Sequence, residues 1–272
     1  MRALITRMAS TGHKTHGLTP ERLSLRDIVT IGSGSYHSFA VSKKGDVFGW
    51  GLNSFCQVGL SDADGGYEDT IPVPTIIDAL RPAQHGGARV VEITGGAHHS
   101  VFLFSNGEVW ACGRCDGNEV GLGANHPEMV KNEQRKEAAL KKRAAREVDE
   151  LALLADEPAD EAALKAAENA AQGVPLPNPY IPYPQKVAFP LTEGVTTETR
   201  IIKIASGTRH NFAVSSDGRV YSWGMGNTSQ LGLGDEEDAP IPTLVRSQKM
   251  DGFRALAAST GGQHSVIVAV KA

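Results

Sequence analysis

Two cysteines, two glycine pairs and a set of histidines are the residues in this 272-residue chain that could do chemistry. Cys112-Gly-Arg-Cys115 has the spacing of one half of a zinc or redox site, but the sequence offers no second pair to complete four thiolates. Gly32-Ser-Gly34 and Gly224-Met-Gly226 suggest phosphate-binding turns, yet neither extends to G-x-G-x-x-G or to a P-loop lysine. Asp235-Glu236-Glu237-Asp238 is an acidic run that suits solvent or a basic partner. The histidines fall into a pattern. His37, His99, His210 and His264 each follow a glycine (Gly34, Gly96, Gly207, Gly261) by three positions. No serine–histidine–acid set or carboxylate pair stands outside this pattern, so the sequence gives no reason to expect covalent catalysis, a metal or a cofactor.

The elements that must position these residues recur along the chain. Three units run in parallel: IGSGSYHSFAVSKKGDVFGWGLNSFCQVGL from Ile31, ITGGAHHSVFLFSNGEVWACGRCDGNEVGLG from Ile93 and IASGTRHNFAVSSDGRVYSWGMGNTSQLGLG from Ile204. A fourth, STGGQHSVIVAV, begins near Ala258. Gly45, Gly107 and Gly218 occupy a second fixed place, and Gly51, Gly113 and Gly224 a third. Short β-prone runs flank Lys44-Gly45, Asn106-Gly107 and Asp217-Gly218, which read as two-residue hairpins with positive φ. Trp50-Gly51 and Trp223-Gly224 set a large ring beside a bare backbone, a step expected to let one sheet pack on the next. The repeated histidines are expected to be core imidazoles bonded to backbone within their own sheet. His98 is different. It shares its place with Tyr36, Arg209 and Gln263, where the repeat has no fixed requirement, and is therefore the better binding candidate.

Spacing marks one insertion. His37 and His99 are 62 residues apart and His210 and His264 are 54 apart, but His99 and His210 are 111 apart. The excess, residues 125–178, is rich in Ala, Glu, Lys and Arg and reads as a charged helical or disordered insertion, with helix expected from Pro127 toward Leu154 and again over Ala159–Gln172. Its first half is basic around Lys141-Lys142-Arg143, which suits a solvated helix or a basic recognition patch. Thr19-Pro20-Glu21 reads as a helix start.

Net charge is −4 with a pI near 6.1, which argues against a nucleic-acid-coating chain. No apolar run approaches membrane-spanning length, no signal peptide opens the chain, and three cysteines do not make a secreted disulfide framework. A soluble intracellular protein is expected.

The pattern G-x-x-H-S/N, then G-x-V, then W-G-x-N/G, then Q/E-V/L-G-L resembles the regulator of chromosome condensation repeat, and the ending GGQHSVIVAVKA resembles the last half-repeat of the Ran exchange factors of that family, fungal members in particular. The resemblance implies an all-β chain: about three and a half blades of a seven-bladed propeller, with repeats near 28–80, 90–124 together with 179–192, 201–246 and 253–272. Residues 1–27 are then the remnant of a preceding blade. The structural repeat positions are Gly34, His37, Trp50, Gly51, Gly96, Gly107, His210, Gly218, Trp223 and Gly224. The implied activity is guanine-nucleotide exchange on the small GTPase Ran in the nucleus, with no covalent step, cofactor or membrane. His98, His99 and His264 would face Ran, and chromatin contact would belong to an N-terminal part this sequence lacks. The wedge that contacts the GTPase also belongs to those absent blades. The alternative is a propeller that serves as an interaction module without exchange activity. Either way, the open edge of the fourth unit is expected to pair with other chains.

Overall fold

Gly45, Gly107 and Gly218 bend the chain in the same way three times. In each turn the glycine N–H donates to the carbonyl three residues back: Ser42, Phe104 and Ser215, at 2.8–2.9 Å. Those three residues in turn donate from their own N–H to Asp46, Glu108 and Arg219 at 2.9 Å. The loop thus holds three residues, and the glycine sits at its end with φ of 84–93°. This corrects the two-residue reading. Lys44, Asn106 and Asp217 keep negative φ, because a turn closed by a glycine bulge needs only one left-handed residue.

The computed structural model describes residues 4–5, 21–61, 68–153, 178–190 and 199–272. Short strands β1 (Leu4–Ile5) and β2 (Glu21–Arg22) pair antiparallel. Glu21 is thus in a ladder opposite Ile5 and not in a helix start; Thr19 and Pro20 lie outside the described residues. Three four-stranded antiparallel sheets follow. The first is β3 (Ile28–Ser33), β4 (His37–Ser42), β5 (Val47–Leu52) and β6 (Thr70–Ile76). The second is β7 (Val90–Gly95), β8 (His99–Phe104), β9 (Val109–Arg114) and β10 (Tyr180–Val187). The third is β11 (Ile201–Ser206), β12 (His210–Ser215), β13 (Val220–Gly224) and β14 (Ala239–Leu244). A two-stranded sheet, β15 (Phe253–Thr260) with β16 (Ser265–Lys271), ends the series. Order in each sheet follows the sequence, and the first strands β3, β7, β11 and β15 lie against one another. These are blades of a partial propeller.

The outer strands share a signature that the sequence reading did not use. Ile71-Pro72-Val73-Pro74, Ile181-Pro182-Tyr183-Pro184 and Ala239-Pro240-Ile241-Pro242 alternate proline with other residues. Proline cannot donate to a ladder, so it belongs on the last strand of a sheet.

Alternation divides each blade between two neighbours. Phe102 and Phe104 of β8 pack toward the first sheet with Phe39, Val41 and Ile77; Val101 and Leu103 of the same strand pack toward the third with Ala213, Tyr221 and Trp223. Each such buried side chain contributes about 2 kcal/mol. The cores therefore lie between the blades.

The insertion leaves the second blade as helix α1 (Pro127–Leu153). Proline at its first position costs no hydrogen bond there, and His126 Nδ1 accepts the Glu128 N–H at 3.2 Å. The first turns are docked: Met129 packs on the core, the Asn132 amide donates to Tyr180 O at 2.9 Å, and Arg135 lies 5.5 Å over the Tyr180 ring. From Lys136 to Ala145 the side chains are mostly exposed, Lys141 and Lys142 included. The second expected helix, 159–172, lies outside the described residues. Removal of 137–177 should therefore leave the melting temperature within about 2 °C of the parent, whereas removal from 125 onward should cost about 1–3 kcal/mol through loss of Asn132 and Met129. Thermal melts of the two deletions check this; equal stability of both would show the docking to be inconsequential.

Candidate functional site

The site grows out of the G-x-x-H turn. A side chain at Gly34 would overlap His37 Cε1 and come 2.5 Å from Gly96 O; Gly96 is hemmed in likewise by His99 Cε1 and by Gly207 O at 2.5 Å. The glycine exists to make room for its own unit's imidazole and for the next blade's backbone. That backbone is also bonded: Ser35 N–H donates to Gly96 O at 2.9 Å, and Ala97 N–H to Thr208 O at 3.0 Å. Gly51, Gly113 and Gly224 lie directly opposite His37, His99 and His210, at φ of 102–109°. A Cβ at Gly51 would sit 2.5 Å from Tyr36 O, so this glycine serves close approach within its own sheet, not the packing of sheet on sheet. Gly121 serves close approach between blades as Gly34 and Gly96 do, here against the Trp223 ring, whose Nε1 donates to Glu119 O at 3.1 Å.

Opposite a bare glycine, each imidazole reaches across to the following blade. His37 Nε2 meets Ser100 Oγ at 2.7 Å, His99 Nε2 meets Asn211 Oδ1 at 2.8 Å, and His210 Nε2 meets Ser265 Oγ at 2.9 Å. The residue after each next histidine then closes the loop. Ser100 Oγ donates to Gln57 O at 2.6 Å, Asn211 Nδ2 to Glu119 O at 2.7 Å, and Ser265 Oγ to Gln230 O at 3.0 Å. With the hydroxyl proton committed, the histidine must donate from Nε2, which leaves Nδ1 bare; for His37 and His210 it meets no polar partner. The expectation of backbone bonds within one blade is corrected: the histidines tie blade to blade. Burial in this setting holds them neutral, His37 down to about 3 and His99 and His210 down to about 4.

At the free position of the same turns stand Tyr36, His98 and Arg209. The half-buried His98 ring stacks on Tyr36 with centroids 5.7 Å apart and touches Phe55 at 4.9 Å. Arg114 covers Phe55 at 5.1 Å and pairs through Nε with Asp116 at 2.5 Å. Arg209 joins Asp116 at 2.7 Å and Glu119 at 2.6 Å, so the turns of the second and third blades are linked by charge. Burial, then Arg114 and Arg209, lower the His98 pKa, which keeps the ring neutral at pH 7. Burial pushes Asp116 up, but Arg114 and Arg209 outweigh it and hold the carboxyl below its usual range. Burial lifts Glu119 above its usual range against the pull of Arg209. The result is one face with an aromatic cluster beside a fixed arginine–carboxylate set.

Of the three histidines expected to face a partner, only His98 belongs to this cluster. His99 is 1% exposed and spent on Asn211, so its ring cannot meet a partner on the closed blade; it holds the strand on which His98 sits. His264 is exposed, at the tie position of the fourth sheet. The sequence reading missed Arg209, Arg114, Asp116 and Phe55, although Arg209 and Tyr36 share the unconstrained position that singled out His98. Cys112 and Cys115 are both buried and belong to different apolar clusters. Burial pushes the Cys112 thiol up and that of Cys115 to about 12, which disfavours the thiolate that metal or redox work needs. Among the described residues no group of three His, Cys, Asp or Glu side chains converges on a common point, and no helix is long and apolar enough to cross a membrane.

Known proteins agree with this architecture. The chain is 34% identical over 259 residues to protein pim1 of Schizosaccharomyces pombe, with 94% of this chain and 38% of that protein covered. It is 28% identical to the guanine nucleotide exchange factor SRM1 of Saccharomyces cerevisiae, over 93% of this chain and 42% of that one. It superposes on the crystal structure of Prp20p from Saccharomyces cerevisiae, a protein studied for its binding to Gsp1p and histones, with a TM-score of 0.65, 26% identity, 95% of this chain and 47% of that chain. The chain thus spans less than half the length of these relatives. Residues 4–267 match the RCC1-like domain, and with that match, the repeat and the blade geometry in hand, the chain belongs to the RCC1-like propeller family.

Proposed function

We propose that the chain forms part of a nuclear guanine-nucleotide exchange factor for the GTPase Ran, and that it contributes the face around His98. The kinship with an exchange factor supports the activity. The observation that carries the site is the placement of His98 among Tyr36, Phe55 and Arg114, on turns whose outward residues the blade-to-blade ties leave free. A factor of this kind works by linkage. It binds the nucleotide-free GTPase more tightly than the loaded one, and so weakens nucleotide binding by the same ratio. That needs a rigid surface and no covalent step. Rigid aromatic anchors beside paired arginines suit it, because little side-chain entropy remains to be lost on docking. Chromatin contact is not assigned to these residues.

The chain, immobilised, should bind nucleotide-free Ran more tightly than GDP-loaded Ran. His98→Ala should weaken that binding about tenfold, about 1.4 kcal/mol, with the melting temperature little changed. Equal affinity for both forms of Ran would favour an interaction module without exchange activity. Unaltered binding by His98→Ala would remove that residue from the site.

A further inference from the structure

Three residues that depart from the repeat meet at the junction of the second and third blades. Each blade has a loop residue at positive φ (Cys56, Asn118, Ser229), followed by Gln57, Glu119 or Gln230, all three buried. These side chains do the same local work. Gln57 Oε1 accepts the Phe55 N–H at 2.9 Å, Glu119 Oε2 that of Gly117 at 2.8 Å, and Gln230 Oε1 that of Thr228 at 2.8 Å. An amide therefore suffices for the loop, and the charge on Glu119 answers another need. Its second oxygen shows which: Oε1 accepts Arg209 Nε at 2.6 Å. Arg209 holds the free position of the blade that follows Glu119, where the blades after Gln57 and Gln230 carry His98 and Gln263. Gly117 is the third departure. It stands where the other loops have Phe55 and Thr228, and a Cβ there would come 2.6 Å from Arg209 Nη2.

Glutamate, glycine and arginine are thus fitted to one another, and stability does not explain them. A charged pair with one member buried gains little over neutral groups, because desolvation offsets most of the attraction. A local rule broken without such a gain marks a functional position. The pairing leaves Arg209 one way to act. Its Nε is committed to Glu119 and its Nη2 donates to Asp116 at 2.7 Å, whereas Nη1 meets no acceptor among the described residues and the side chain is 24% exposed. Arg114, with Nε and Nη2 on Asp116, completes a set of two arginines and two carboxylates that carries no net charge. We propose that Arg209 is a specificity-determining anchor of the partner-binding face, that its Nη1 donates to an uncharged oxygen of the partner, a main-chain carbonyl, and that Glu119 is the residue that positions it. The role rests on the proposal that this face binds nucleotide-free Ran. The acceptor is uncharged because a set without net charge gives a partner carboxylate no electrostatic advantage.

Binding of the 272-residue chain to nucleotide-free Ran, with a melt of each variant, tests this. Arg209→Gln should weaken binding about tenfold. Arg209→Lys should weaken it as much, since a single ammonium cannot hold Glu119 and reach the partner at once. Glu119→Gln should lose a similar factor, yet in the Arg209→Gln background it should change nothing further. Its melting temperature should stay within about 2 °C of the parent, because glutamine keeps the loop contact as Gln57 and Gln230 do. The ratio of wild type to Arg209→Gln should be the same at low and high salt. Either Arg209 variant binding as well as wild type, additive losses in the double variant, a Glu119→Gln chain that melts well below the parent, or a ratio that shrinks with salt would each overturn the proposal. A wild-type chain that binds neither form of Ran would remove the reading of the face and this role with it, so the two failures are told apart.

Discussion

Gly96→Ala should lower stability by about 3–5 kcal/mol and the melting temperature by about 10 °C. The backbone at Gly96 is not the difficulty, since its φ is not left-handed. Space is. The added methyl would overlap His99 Cε1 and stand 2.5 Å from both Gly207 O and Thr208 O. None of these can yield cheaply. His99 is held by Asn211, which is held by Glu119 O, while Thr208 O already receives the Ala97 N–H. One methyl therefore presses on two blades at their junction. The loss is a large share of the roughly 5–15 kcal/mol that keeps a domain folded. Gly262→Ala is the control: its nearest contact is Thr208 Oγ1 at an ordinary 3.6 Å, so it should change stability by no more than about 0.5 kcal/mol. Equal denaturation midpoints for the two variants would show that the junction gives way without cost.

The same junctions predict acid lability. An unfolded histidine titrates near 6.5, whereas in the folded chain His37 titrates near 3 and His99 and His210 near 4. Below pH 6.5 the unfolded state binds protons that the folded state refuses, so stability falls with pH, and the fall continues until the folded values are reached. Each ring costs about 1.4 kcal/mol per pH unit within that window. Between pH 6.5 and 5 the three together remove about 5 kcal/mol at most, since the unfolded ring is only half protonated at the start of that window. Glu119 works the other way, because its folded carboxyl lies above its usual range, but it is one group against three. Urea denaturation at pH 7 and pH 5 reads the difference. His99→Gln should be less stable than the parent at pH 7 yet should lose less on acidification. Stability that stays flat from pH 7 to 5 would mean that the buried rings take up protons without penalty.

The repeat was legible because it is carried by glycine, which marks backbone that other residues rarely adopt or space that no side chain can enter. Gly45, Gly107 and Gly218 announced hairpins, and Gly34, Gly96 and Gly207 marked a fixed repeat position whose crowding only the structure explains. The direction of the histidine contacts was not legible. Strand alternation says that His37 faces one side of its sheet, not which neighbouring blade meets it, and Ser100 is 63 residues away. The site was half legible. His98 stood out as a departure from the repeat, but Arg209, Asp116 and Glu119 come together only when two blades are set side by side. The docked start of α1 escaped notice because one asparagine, Asn132, fixes it against Tyr180, and a single polar residue in a charged helix carries no periodic signal.

The alternate prolines of β6, β10 and β14 have a consequence for how this protein recruits ligands. An extended peptide joins a sheet by exchanging main-chain hydrogen bonds along a free edge. At the rim of the three complete blades two residues in each outer strand have no N–H to offer, Pro72 and Pro74, Pro182 and Pro184, Pro240 and Pro242. The rim of these three blades is thereby closed to strand addition, so a partner that docks on them must be read by side chains on the loop faces, where sequence rather than backbone decides who binds.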